Sequence, residues 1–572
     1  MSHRGRDPDE SAQVDSNDDA RSRRGDFRRL RRRRGSARGG GGNSGTVVKG
    51  GILRVGTTNY IDSLNPFVAI ESQSYNAFVM EYPQLVQYGP GEKLEGDWAT
   101  SWTKSSDDLT WTFHLKPGGK WSDGKPLTAA DAAWTGNTIV KYQAGPTAAV
   151  AAALTHVKSM DAPNATTLVI HYDKPVANVL PQLEQFWVLP EHVWKQYVGS
   201  NGKGLKTFRP EQHLPTVAGG AYSITKYQEK GTTVFKPNPY FYGPKSNAEA
   251  VAMTYYTNST SMIADLDSGN IDFADQVPFN AISSLKNDSR FAVQSVPTSE
   301  VTNITINTNP LKAKNRELLN PQLREALEYA TDRAAIVKVI FAGYAKPWAN
   351  MLSVQSGPFW LNPAIKPLPF DPAKANQILD SLGYKKGSNG IREVPATTGK
   401  YAQPAHPMEY GVIVPDSLDF NGDRQFQIIA DDWAKVGIKL HEIAGGDSGQ
   451  AYGMETAAQY TKFDFATWDW AEYIDPDAQL SYMTRGQWYS WNDTGYNVPW
   501  FNQAYLKQAT LTDPKQRQAL VWKMEARVAH DRPYIQLVNE DLVTANDKGW
   551  TGFYPDLNAY CKCYYTSPHK TG

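Results

Sequence analysis

Segments that alternate like strands and segments with helical periodicity follow one another along this chain, which commits it to an α/β architecture. Thr110–Leu115 (Thr-Trp-Thr-Phe-His-Leu) alternates strictly, as a strand with one buried face does. Gly51–Gly56, Thr167–Tyr172, Val234–Lys236, Val301–Asn307, Ile438–Ile443 and Tyr534–Val538 read as further strands. Helices are expected over Ser74–Tyr82, Ser261–Asp267, Arg324–Phe341, Ala373–Leu382, Gln425–Val436 and Arg517–Ala529. The clearest, Arg324–Phe341, lines up Leu327, Ala330, Ala334, Val337 and Ile340. Another starts at Thr128 with Asp131 three residues on, a capping box with Asp in place of Glu. Gly383 is expected to cap the end of Ala373–Leu382. A chain of 572 residues exceeds one hydrophobic core, so two or more lobes are expected.

Lys+Arg and Asp+Glu balance at 59 each, so no global field draws the body to nucleic acid or acidic lipid. Aromatic residues make up 12%, with 17 Trp and 30 Tyr, which suits a protein that grips ligands with flat, stiff side chains, although most such rings belong to cores. The two cysteines, Cys561 and Cys563, are too close for an easy bridge and lack the companions a zinc site needs, so two free thiols are expected. No run of about 18 apolar residues marks a membrane span, and no apolar segment near Met1 marks a signal peptide. Met1–Gly45 is polar and Arg-rich, ends in Gly39–Gly42, and reads as disordered. Two readings stand for it: a basic arm for nucleic acid or anionic lipid, or sequence from a misplaced start or reading frame, the second preferred. Gly446-Asp447-Ser448-Gly449 imitates a serine-protease nucleophile motif, but an α/β chain whose 10 histidines lack the matching context makes it a loop. No Gly-x-Ser-x-Gly elbow, phosphate loop or His-Glu-x-x-His motif occurs, so no catalytic residue, metal site or cofactor is expected, and a hydrolase is a remote alternative.

Leu109–Trp134 reads Leu-Thr-Trp-Thr-Phe-His-Leu-Lys-Pro-Gly-Gly-Lys-Trp-Ser-Asp-Gly-Lys-Pro-Leu-Thr-Ala-Ala-Asp-Ala-Ala-Trp. It resembles the signature of the family 5 solute-binding proteins, the dipeptide- and oligopeptide-binding group of ABC importers. Gly51–Pro66, Gly220–Ile224 with Pro237–Phe241, Asp267–Asp272, Leu323–Arg333 and Asp371–Ala375 with Leu382–Tyr384 resemble further family blocks in the family's order. Most of these set turns and helices, and Asp332-Arg333 reads as a helix-end ion pair. The resemblance covers nearly all of Gly50–Tyr565. It implies a two-lobed, periplasmic-binding-protein-like α/β fold (type II, cluster C) with an extra subdomain in the first lobe. The implied division is 1–49 arm, 50–308 lobe I with a subdomain at about 90–215, 309–534 lobe II, 535–566 return to lobe I, and 567–572 tail. The chain crossings fall near Pro297–Asn309 and Pro533–Val543.

By the same resemblance, Ala466–Pro476 lines the cleft. Glu472, four positions before Pro476, takes the place of the acid that receives a peptide's α-ammonium group. Its plainer alternative is an ion pair with a nearby Lys or Arg. Trp468, Trp470 and Tyr473 would be cleft walls or ordinary core, with Asp469 beside them; Asp475-Pro476 reads as a turn, and Tyr60 faces the cleft from the first lobe. The implied function is a non-enzymatic, monomeric receptor that takes short peptides to an ABC permease, without nucleic acid. Its place is extracytoplasmic, as a periplasmic or cell-surface lipoprotein, though the lipobox cysteine is absent. The rival is an oligosaccharide receptor of the same fold, with Trp488 and Trp491 adding stacking surfaces.

Overall fold

Two strands much longer than the sequence pattern indicates organise the molecule. In the computed structural model, Phe291–Ile306 and Tyr534–Asp547 run antiparallel side by side. The structure describes residues 48–90, 93–416, 422–446, 448–456, 460, 463–471, 474–554 and 562–571. The Arg-rich arm, Cys561, Asp447, Glu472 and Tyr473 lie outside the described residues.

Around this pair one mixed sheet continues in both directions. On one side it runs through Phe273–Ala274, Ile52–Thr57, Ala250–Tyr255, Thr232–Pro237 and Tyr222–Lys226. On the other it runs through Phe465–Ala471, Glu409–Val414 and Lys439–Ala444. Separate hydrophobic cores form on the two sides, one on Leu53, Val55, Tyr222 and Phe235, the other on Ile304, Leu327, Tyr410 and Trp433. The expected two-lobed α/β architecture is therefore the observed one. A further four-stranded antiparallel sheet, in the order Ala99–Lys104, Thr110–Leu115, Thr167–Tyr172, Val157–Asn164, carries its own core with the helix Ala129–Tyr142. At that helix's start the Asp131 carboxylate accepts the Thr128 amide at 3.0 Å, the expected return bond of a capping box.

The two long strands are not paired throughout. Their register breaks between Pro297 and Val301, where the first strand bulges. The 2%-exposed side chain of Asn539 takes over the lost ladder bonds, donating from Nδ2 to the carbonyls of Thr298 at 3.0 Å and Glu300 at 2.7 Å. Its Oδ1 accepts the Val354 amide at 3.0 Å. The Thr298 hydroxyl donates back to the Glu540 carbonyl at 3.0 Å.

The helix expected over Arg324–Phe341 is two helices, Pro321–Tyr329 and Arg333–Val339. Two bonds divert the chain between them. The Asp332 amide donates to Asp432 at 2.9 Å, and the Asp332 carboxylate caps the second helix at the Ala335 amide, also at 2.9 Å. The break re-phases the apolar face, so Ala334 is exposed and Ile336 is buried in its stead. Asp332 and Arg333 consequently form no pair. Arg333 instead bonds Glu328 at 2.9 Å and the Gln536 carbonyl at 2.8 Å. The helix Pro372–Ser381 ends as expected, with Gly383 at φ +85° just past its cap. Ser448 and Gly449 begin the helix Ser448–Thr456 and so lie past the loop read there, and Cys563 opens a helical turn.

Replacing Asn539 with Leu leaves two buried carbonyls and an amide unpaired at the bulge. Urea unfolding of this variant should show a loss of about 1–3 kcal/mol, and an unchanged midpoint would refute the role given to Asn539.

Candidate functional site

The strand Phe465–Ala471 packs antiparallel against the second half of the first long strand, with Trp470 opposite Val301 and Trp468 opposite Asn303. Alternation along the strand sends its two tryptophans to one face and Asp469 to the other. Its other neighbour, Glu409–Val414, pairs with it only at Phe465 and Ala466.

Trp468 is 7% exposed and packs beside Tyr452, their ring centroids 5.5 Å apart, so it is chiefly a core residue. Trp470 is half-buried at the centre of an aromatic group. Its ring lies 4.8 Å from Tyr482, 6.0 Å from Tyr452 and 6.3 Å from Trp491. Trp491 stacks on Tyr482 at 5.9 Å and keeps 51% of its surface exposed. The group thus runs from core to solvent as a continuous wall. Trp488 stands outside it: it is buried, bonded to the Tyr496 carbonyl at 3.0 Å and covered by Arg485. Tyr452 and Tyr482 went unnoticed in the sequence because neither lies in the family-like segment.

On the opposite face the bulge sets Glu300 beside Asp469 and Glu540. One carboxylate oxygen from each lies within 4.8 Å of the other two. These acids come from three strands, so nothing in the sequence brings Glu300 and Glu540 to Asp469; only the sheet register does. Three carboxylates this close concentrate negative charge where the two halves of the sheet meet, and they favour a cationic group. Tyr60 is half-buried in the first lobe, edge-on to Tyr255 at 5.6 Å and beneath the Lys230 ammonium at 4.7 Å.

Asp475 lies in the turn expected of it and is also a buried anchor. Both its oxygens accept from Arg517, at 2.6 and 2.7 Å. Its neighbourhood also ties the four-stranded sheet region to the second lobe. Asn178 Nδ2 donates to Asp475 at 3.4 Å, the Ala177 amide to the Ala509 carbonyl at 2.9 Å, and the Thr512 hydroxyl to Asp108 at 2.6 Å. Behind the aromatic wall lie two fully buried acids. Asp493 accepts hydroxyls from Tyr534 and Thr305, whereas neither Glu455 oxygen has a hydrogen-bond partner. Burial pushes both carboxyls up, and the mutual repulsion of the two acids lifts Glu455 further.

A sheet shared by two lobes, with an aromatic wall and an acidic corner at their junction, is the build of a solute-binding receptor. Residues 93–491 match the profile of the bacterial extracellular solute-binding proteins, family 5, middle region, and the chain belongs to that family. It is 24% identical over 525 residues to a probable D,D-dipeptide-binding periplasmic protein of Escherichia coli (strain K12), a match spanning 88% of this chain and 91% of that protein. It is 25% identical over 527 residues to a glutathione-binding protein of Pectobacterium atrosepticum, with the same two coverages of 88% and 91%. The fold superposes on an ABC transporter-associated periplasmic binding protein from Helicobacter pylori in complex with the peptide STSA. That match has a TM-score of 0.71 and 20% identity, and covers 92% of this chain and 99% of that one. Among the described residues no helix is long and apolar enough to cross a membrane.

Elsewhere in the molecule, burial also pushes Glu81 up to about 7 and Glu184 and Glu525 up to about 8. In an unfolded chain these glutamates titrate near 4.5. Their contribution to stability is therefore complete below the unfolded value and is lost as pH rises through the folded values. Asp265 and Asp531 are held low, and their contribution fades only in more acidic solution. The melting temperature should accordingly fall between about pH 5.5 and about pH 8.5, with a shallower slope in Glu455→Gln; a rising or flat profile would contradict this balance.

Proposed function

We propose that this protein is the receptor of an ABC import system and captures short peptides between its lobes for delivery to a membrane permease. The acidic corner beside the aromatic wall carries the reading. A free peptide brings an α-ammonium group for Asp469, Glu300 and Glu540, and for Glu472 just beyond the same strand. Because Glu409–Val414 leaves the wall strand after Ala466, an extended peptide backbone could run along that strand's continuation. The dipeptide- and glutathione-binding relatives and the peptide-bound neighbour support this ligand class.

In this reading the lobes are 50–308 with 535–566, and 309–534, and about 90–215 is a subdomain of the first. They hinge at the bulge, and the bonds from Asp108, Ala177 and Asn178 to the second lobe belong to the closed form that a permease would recognise. The receptor works as an extracytoplasmic monomer, without catalysis and without nucleic acid.

A thermal-shift screen of the protein against di- to pentapeptides and, separately, α- and β-linked oligosaccharides tests the ligand class. A peptide at about 100 times its dissociation constant should stabilise the fold by about 2.7 kcal/mol. A response to oligosaccharides alone would overturn the peptide reading. Glu472→Gln should weaken free peptides strongly and N-acetylated ones little; equal losses would remove Glu472 from the ammonium site. Thr512→Val deletes one bond across the lobes and should lower peptide affinity about two- to tenfold by calorimetry, where no change would detach that bond from closure.

A further inference from the structure

Behind Trp470 and Tyr482 lies a small cavity between the wall strand, the two long strands and the helix Asp477–Tyr482. Its clear interior is about 10 Å³, the room of one water molecule. Val301, Met351 and Met483 supply apolar wall, while Asn303, Gln479 and Gln536 supply polar groups. These three residues are 0%, 3% and 8% exposed. Asn303 Nδ2, both amide atoms of Gln479, Gln536 Oε1 and the indole Nε1 of Trp470, which also lines the cavity, have no hydrogen-bond partner.

Leaving five polar atoms unpaired beside one void is costly in a folded interior, so the void must be filled by something that bonds them. Counted by chemistry, the unpaired set holds three donors, the amide nitrogens of Asn303 and Gln479 and the indole nitrogen of Trp470, and two acceptors, the amide oxygens of Gln479 and Gln536. A cation could use only the acceptors. A carboxylate could use only the donors and would sit near the Asp493 charge, one hydroxyl away through Tyr534. An aliphatic side chain would satisfy neither. A carboxamide offers an N–H pair for the two acceptors and a carbonyl for the donors, and so serves both kinds of partner at once. The walls can give way to it: Met351 and Met483 are unbranched and adaptable, and the half-exposed Trp470 and Tyr482 are the layer between the cavity and the exposed Trp491.

We propose that this cavity is a side-chain specificity pocket that holds a single water when vacant and accepts an asparagine or glutamine side chain of the bound ligand. The proposal rests on the peptide reading above. The test is calorimetric, on the full chain, with trialanine and tripeptides carrying Gln, Asn, Leu, Glu or Lys in turn at each of the three positions. At one position Gln or Asn should bind about tenfold or more tighter than Leu, Glu and Lys, as expected when a polar pocket rejects ligands that leave its groups unpaired. Gln479→Leu should reverse that ratio in favour of the leucine peptide. Gln479→Met, closer in shape, should at least abolish it and guards against a folding defect in the first variant. Binding of trialanine without an amide preference at any position, or a preference that survives in both variants, would overturn the pocket and leave the peptide reading standing. Absence of binding by every tripeptide would overturn both.

Discussion

The pairing of Phe291–Ile306 with Tyr534–Asp547 is the constraint on which the rest depends. Both lobes hang their sheets on this pair, one through Phe273–Ala274 and the other through Phe465–Ala471. A ladder of this length without interruption would make a single stiff plate. The bulge after Pro297 interrupts it, and Asn539 supplies with one side chain the bonds that the backbone gives up there. The same irregularity brings Glu300 to Asp469 and Glu540. The element that joins the lobes also builds the corner where a ligand would be held.

Buried charge does much of the tying in the half of the molecule that follows the first long strand. Arg324 donates to the carbonyls of Asp531 and Leu318, Arg333 to Gln536, and Arg517 to both oxygens of Asp475. Each guanidinium spans elements remote in sequence, and each would be expensive to bury without those acceptors. Lys562 plays the corresponding part at the far end of the chain, buried against Asp97 at 2.7 Å and Gln84 at 2.8 Å. It holds the C-terminal segment to the elements around Gln84 and Asp97.

Much of this was legible in the sequence, and what was not has a physical reason. Strict alternation in Thr110–Leu115 and the Thr128–Asp131 box marked real elements, because both signals are local. The sequence pattern shows only short strands, Val301–Asn307 and Tyr534–Val538, because the outer half of the first is only partly buried and the polar run Asn539-Glu540-Asp541 interrupts the second. The helix after Arg324 was read as unbroken because its apolar spacing survives on paper, whereas Asp432, a hundred residues on, takes the Asp332 amide out of helical register. Of the candidate site, Trp470 and Asp469 were found from the segment around them. Glu300, Glu540, Tyr482 and Gln479 were not, since their nearness exists only in the folded sheet. Glu472 and Tyr473 lie outside the described residues.

If the lobes close as proposed, the bonds that Asp108, Ala177 and Asn178 make to Thr512, Ala509 and Asp475 bear on time as well as affinity. A receptor that captures its ligand by closing must spend part of its life open, since a solute enters only then. Bonds made between the lobes themselves, with no ligand atom among them, favour the shut form whether or not the cleft is filled. They slow arrival by making the open form scarcer, and they lengthen the stay of whatever has been enclosed. A permease that pulled these lobes apart would have to break contacts such as Thr512–Asp108, which involve none of the acids and aromatic rings at the junction.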